Sequence, residues 1–405
     1  MGVQRSIGSI AVFAAVIFGS TAALAQISDG VVKIGVLTDL SGPASDSTGQ
    51  GSVLAAEMAV ADFGGKVLGK PIQVISANHQ MKADIGAQIA RQWYDSEQVD
   101  MIADVPLSAV GLAVQEVARE KKKLFIAQST GTTDFTGKYC SPYGMQWAFD
   151  TYALATGTAQ AVTKSVGKSW FFLTADYAFG HSLERDATKF IEANGGKVLG
   201  SVSHPYNTPD LSSFVLQAQA SKAQIIGIAS GPPDNTNAIK LGGEFGVFSR
   251  GQQMAGLLVL ITDVHALGLK AAQGLLLTTS FYWDRNDETR AWSKRFYEKL
   301  NKMPTMWQAG VYSSVIHYLN AIKATGTDEP LKVAAQMRAT PINDMFAHNG
   351  KLREDGLMVH DLYLVQVKKP DESKYPWDYY KVLATIPGEQ AFPRLEDEPC
   401  PLLKK

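Results

Sequence analysis

Two short runs of small hydroxyl residues carry the chemistry that this sequence offers. Leu107-Ser108 follows the apolar stretch 99–104 across Pro106, and Gln-Ser-Thr-Gly-Thr-Thr at 128–133 follows the apolar stretch 123–127. Between them Val110, Ala113, Val114, Val117 and Ala118 recur at helical spacing. Strand, helix and strand within about forty residues form a βαβ unit, whose crossover is right-handed. In such sheets ligands sit outside the carboxyl ends of the strands, and both hydroxyl runs fall there. The plain use of Ser108 is to cap the helix with its own hydroxyl. The sharper use is to hold an anion, with exposed backbone N–H groups and the Ser and Thr hydroxyls as neutral donors.

The surrounding chain repeats this arrangement. An apolar run at 31–38 enters the turn Asp39-Leu-Ser-Gly-Pro43; a helix is predicted at 47–63, a strand at 71–76 and a helix at 83–94. With the unit above they complete a βαβαβαβ series, the size of one domain. After Asp150 a second series follows, with helices at 152–166, 183–193, 211–220 and 239–245. Its strands are predicted at 169–174, 197–202, 224–229 and 254–261. The strand-end loops of this half hold Asp176-Tyr177-Ala178-Phe179 and the run 230–235, which includes Asp234. Helices at 288–300, 307–324 and 331–338 come next, and 360–367 and 379–386 alternate as a hairpin would. The fold class is therefore α/β, with two domains whose polar loops face each other across a cleft that closes on a small ligand by hinge motion.

Catalytic signatures are absent. There is no G-x-S-x-G and no H-E-x-x-H, and the seven histidines are dispersed. Gly167-Lys-Ser169 resembles a P-loop ending, but Val162 stands at the upstream glycine position. Gly49-Gln-Gly51 follows the first strand as a dinucleotide fingerprint would, with Leu54 in place of the third glycine. No cofactor or metal is expected, and a dinucleotide-dependent enzyme on this architecture is the rival reading. The 405 residues are 45% hydrophobic and carry a net charge of −1 with Lys and Arg spread along the chain, so nothing in the composition points to a nucleic-acid surface.

Arg5, the apolar run 10–18 and Ala23-Leu-Ala25 have the order of a secretory leader, 1–25, cleaved before Gln26. An exported chain with an even cysteine count makes a Cys140–Cys400 disulfide the natural expectation.

The chain also resembles a periplasmic solute-binding protein of the leucine/isoleucine/valine-binding type, the receptor component of an ABC importer. The resemblance covers 31–386 and rests on V-K-I-G-V-L-T-D-L-S-G-P at 32–43, Ala-Val-Ala-Asp62, Ala83-Asp-Ile-Gly86, Asp-Tyr-Ala-Phe-Gly180 and Glu244-Phe-Gly246. It implies two doubly wound lobes joined by three crossovers, 31–147 with 275–345 and 148–274 with 346–399. It implies further that a ligand carboxylate is held by Ser108, by Leu107 and Thr130 through their backbone, and by Thr132 through its hydroxyl. Phe179 and Trp307 match aromatic positions of the cleft wall, and Tyr177 stands beside Phe179.

Two departures narrow the ligand. Amino-acid binders of this type place an acid just after the strand that begins at Met254, whereas 256–261 here is Gly-Leu-Leu-Val-Leu-Ile. Thr48 stands where an aromatic is frequent. A buried ammonium without a partner costs several kcal/mol, so an aromatic or branched aliphatic carboxylate is expected, delivered in the periplasm to an inner-membrane permease by a monomer. Asp234 keeps a branched-chain amino acid open, and a ligand-sensing domain remains the other alternative.

Overall fold

The computed structural model describes residues 1–2 and 27–403. The expected leader lies outside the described residues apart from its first two. Among the described residues no helix is long and apolar enough to cross a membrane.

The chain opens with β1 (Val32–Thr38), α1 (Gly49–Phe63), β2 (Lys66–Val67), β3 (Lys70–Asn78), α2 (Ala83–Asp95), β4 (Met101–Asp104), α3 (Ser108–Lys121), β5 (Leu124–Ala127) and β6 (Gly144–Gln146). These strands form a six-stranded sheet in the order β2-β3-β1-β4-β5-β6, parallel except for β2. β4 and β5 are buried at every position because helices cover both faces, which is why they read as unbroken apolar runs and not as alternation.

A crossing at 147–150 leads into α4 (Thr151–Leu154), which continues through a π-helical turn, Ala155–Ala159, into α5 (Gln160–Ser165). Then come β7 (Ser169–Ala175), α6 (Ala178–Ala193), β8 (Lys197–His204), α7 (Ser212–Ala220), β9 (Ile225–Ala229), α8 (Asp234–Glu244), β10 (Gln253–Gly256), α9 (Ile261–Leu267) and α10 (Leu269–Ala272). The second sheet is all parallel, in the order β10-β9-β7-β8.

The chain then returns through β11 (Leu276–Thr279), α11 (Asp287–Leu300), α12 (Met306–Thr325) and α13 (Pro330–Ala339). It ends in β12 (Lys351–Leu352), β13 (Met358–Val359), β14 (Leu362–Val367), β15 (Tyr380–Ile386) and α14 (Gly388–Ala391). β14 and β15 pair as the antiparallel hairpin expected from their alternation, with β11 on the other side of β14.

The observed elements depart from the expected ones where apolar periodicity carries little information. The run 254–261 is strand only to Gly256, because its partner β9 ends at Ala229 and leaves no edge to pair with. Leu257 to Leu260 are a buried loop, and the chain turns helical at Ile261. α6 and α8 each begin five residues earlier than expected, their first turns being too polar or too short to show a stripe. Gly49 and Gly51 serve the packing of α1. Gly49 takes φ +46° at the helix start, and a Cβ on Gly51 would lie 2.1 Å from the Gln308 amide on α12. Cys140 and Cys400 are bonded, Cα to Cα 5.6 Å, and fasten the C-terminal segment to the loop before β6.

Candidate functional site

The carboxyl ends of the two sheets converge on one narrow cavity, about 330 Å³ when the solvent at its mouth is counted. From the first sheet it receives Ala44 after β1, Met81 after β3, Leu107 and Ser108 after β4, and Ser129 after β5. From the second come Tyr177 and Phe179 after β7, Tyr206 after β8, Gly231 after β9 and Leu258 after β10. Trp307, in the first turn of α12, closes one side. Larger hollows of about 840 and 910 Å³ lie near the amino ends of β9, β10 and β11, away from every strand-end loop.

Ser108 is placed by unusual backbone. Asp104, Val105 and Leu107 have φ of +80°, +62° and +75°, a region that bulky and β-branched residues enter only when surrounding contacts hold them. Those contacts are present. The Val105 N–H donates to the Leu37 carbonyl at 3.0 Å, and the Thr130 hydroxyl donates to the Val105 carbonyl at 2.7 Å. The Asp104 carboxylate accepts the hydroxyls of Thr38 and Ser129, while burial pushes its pKa up. Ser108 therefore does not cap its own helix: Leu107 is the cap residue, with no side-chain bond. Instead Ser108 Oγ accepts the N–H groups of Gly131 and Thr132, each at 3.2 Å. It donates to nothing among the described residues, so its one proton is left for an occupant of the cavity. The first N–H groups of α3 have no intrahelical acceptor either.

The opposite wall is aromatic. Tyr206 packs on Tyr177 at 5.2 Å, Tyr177 stacks on Phe179 at 6.0 Å, Phe179 meets Phe149 edge-on at 6.4 Å, and Phe149 stacks on Trp307 at 5.9 Å. Gly131 admits this ladder, since a Cβ there would lie 2.6 Å from Phe149 and 2.8 Å from Phe179. Trp307 is fixed by a capping box between Thr305 and Gln308. The Thr305 hydroxyl and the Gln308 amide also donate to the carbonyls of Ser47 and Thr48, at 2.8 and 3.1 Å. The buried Trp307 indole N–H has no acceptor.

Of the expected site residues, Leu107, Ser108, Tyr177, Phe179 and Trp307 come together on the cavity. Thr130 and Thr132 stand behind Ser108. The Thr130 hydroxyl is spent on Val105, and Thr132 Oγ1 accepts the Asp134 N–H at 3.2 Å. Asp234 is not in the lining: its Oδ2 accepts the Asn207 N–H at 3.0 Å and the Ser230 hydroxyl at 3.1 Å, holding the loop that carries Tyr206, and its Oδ1 is buried with no partner among the described residues. Burial raises its pKa. Asp263, the first acid after 256–261, bends back to accept the Leu260 N–H at 2.8 Å and is likewise pushed up by burial, to about 7. No charged side chain is part of the wall among the described residues. Sequence reasoning missed Met81 and Tyr206, both open to the same strand-end rule, whereas Leu258 stands in the stretch 256–261 expected beside the ligand. Among the described residues no group of three or more His, Cys, Asp or Glu is placed to hold a metal ion.

The periplasmic binding protein family profile matches residues 31–374. A periplasmic binding protein from Burkholderia mallei superposes with a TM-score of 0.91 at 52% identity, over 93% of this chain and 100% of that one. A branched chain amino acid ABC transporter periplasmic ligand-binding protein from Burkholderia xenovorans LB400 superposes at 0.82 with 41% identity, over 92% and 99%. A solute binding protein of an ABC transporter from Rhodopseudomonas palustris BisB5, in complex with 3,4-dihydroxy benzoic acid, shares the fold at 0.80 and 19% identity, over 89% and 98%. Among curated protein sequences none matches significantly. The profile match, the two closely similar structures and a cavity built from the strand ends of two parallel sheets agree: the chain belongs to the periplasmic binding protein family.

Proposed function

We propose that the protein captures a small aromatic or branched aliphatic carboxylate without an α-ammonium and delivers it to an ABC permease in the inner membrane. The observation that carries this reading is the make-up of the wall. It offers an uncommitted serine proton and helix N–H groups for an anion, flat apolar surface for the ligand body, and no acid for an ammonium. Stacking on Tyr177, Phe179 or Trp307 adds about 0.5–1.5 kcal/mol to the burial of a ring. Export with cleavage after Ala25, a monomeric state and the two lobes 31–147 with 275–345 and 148–274 with 346–399 belong to the same proposal.

The similar Burkholderia xenovorans protein, a branched chain amino acid ABC transporter periplasmic ligand-binding protein, favours a second reading, a branched-chain amino acid. Calorimetry with matched pairs, each an amino acid and its deaminated counterpart, separates the two. The deaminated acid is expected to bind at least about tenfold more tightly, a difference of about 1.4 kcal/mol. The reverse preference overturns the proposal and makes Asp234 the first residue to replace.

A further inference from the structure

We propose that Gly231 sets the length of ligand that the cavity accepts, by leaving unfilled the space in which the end of the ligand remote from its carboxylate lies. The inference rests on the carboxylate reading above.

Other buried glycines are explained by the fold. A Cβ would lie 2.0 Å from the Ala175 carbonyl oxygen at Gly180, 2.8 Å from the Phe172 ring at Gly227 and 2.6 Å from Phe149 at Gly131. Gly231 has no such reason. It is buried, its φ is not in the left-handed region, and a Cβ there would meet nothing nearer than 3.8 Å. The three atoms it would approach are Tyr177 Oη at 3.8 Å, Leu258 Cδ2 at 4.0 Å and Tyr206 Cε2 at 4.0 Å. All three belong to cavity walls, so the position that a side chain would take is cavity space.

Alanine costs the fold nothing at such a site, and by restricting the unfolded chain it favours the native state. What a methyl removes is room, and the cavity between the two sheets is narrow. Ser108 approaches from the first sheet and Gly231 from the second, so a carboxylate at Ser108 directs the far end of the ligand toward Gly231. A ring bearing a substituent opposite its carboxylate reaches further in that direction than an unsubstituted one.

The test compares Gly231→Ala and Gly231→Val with wild type in the otherwise unaltered mature protein, by calorimetry. The probes are short and long acids in pairs: benzoate with 4-methylbenzoate, and 3-methylbutanoate with 4-methylpentanoate. The affinity ratio of long over short acid is expected to fall by about tenfold or more in Gly231→Ala and further in Gly231→Val, the scale on which pockets sense one methylene. The melting temperature of Gly231→Ala is expected to be unchanged or raised. A ratio that stays within about twofold of wild type overturns the inference while leaving the carboxylate reading intact. A fall in melting temperature of more than about 5 °C for alanine also overturns it, because the glycine then serves the fold. If wild type binds none of the four acids, the carboxylate reading fails, and this inference with it.

Discussion

Replacing Ser108 by alanine is expected to weaken carboxylate binding much more than it weakens the fold. Ser108 Oγ already accepts two backbone N–H bonds and is 1% exposed, so its proton is the donor a bound anion would receive. A hydrogen bond to a charged group contributes about 1.5–3 kcal/mol, which corresponds to a loss of roughly ten- to 150-fold in affinity. The same change leaves the N–H groups of Gly131 and Thr132 without that acceptor. Both bonds are long, so about 1–2 kcal/mol of stability is at stake in total, a shift of a few degrees in a chain of this size. Calorimetry with an acid and with its neutral primary amide separates the two effects. Wild type is expected to prefer the acid, and Ser108→Ala to lose most of that preference. The reasoning is refuted if the acid binds Ser108→Ala within about threefold of wild type, or if acid and amide weaken equally, which would mean a distorted loop and not a lost anion contact.

Thr132→Ala is expected to cost less affinity than Ser108→Ala in the same titrations, since Thr132 stands behind the wall; an equal or larger loss would move it into the site. Cys140→Ser with Cys400→Ser is expected to lower the melting temperature by several degrees, because the bond closes a loop spanning 260 positions whose chain entropy sets an upper bound of about 5 kcal/mol; equal melting of oxidised and doubly substituted protein would show the link to be idle. Burial holds Asp263 protonated up to about pH 7, against an unperturbed 3.8. The native state therefore binds a proton that the unfolded chain has released, and stability declines as pH rises from about 4 to about 7. Asp263→Asn removes that contribution, so its stability relative to wild type is expected to rise across the window in denaturant melts, and a flat difference would contradict the assignment.

Much of this architecture was legible because parallel strands buried on both faces leave continuous apolar runs, and their carboxyl ends are marked by Ser, Thr, Gly and Pro. Ser108, Tyr177, Phe179 and Trp307 could be picked out on that basis together with the family resemblance. What the residue types could not convey is direction. Asp234 and Tyr206 sit at the ends of the two strands that flank β7, yet the carboxylate holds the Asn207 N–H while the phenol lines the cavity. That choice depends on how two loops meet, not on either sequence. Gly231 was unreadable for a related reason: a glycine required by backbone and one that leaves room look identical until the neighbouring atoms are placed.

The backbone at the end of β4 ties these parts together. Three of the four residues from Asp104 to Leu107 lie at positive φ, a cost of order 1–3 kcal/mol each that local propensity would never select. Gln128 accepts the Asp104 N–H and donates to Ser314 Oγ at 2.6 Å, on the helix that also carries Trp307. The turn before Ser108 and the indole of Trp307 are thus tied to one helix through a buried polar chain. Ser108 arrives at the cavity already oriented by Gly131 and Thr132, so little further ordering is needed when an anion binds. The strained turn is therefore best understood as the means by which a rigid sheet presents one serine proton to the space between the two halves. Replacing Gln128, whose side chain does not line the cavity, is expected to weaken ligand binding in calorimetry by loosening the Asp104 turn that presents Ser108; unchanged affinity would refute this role.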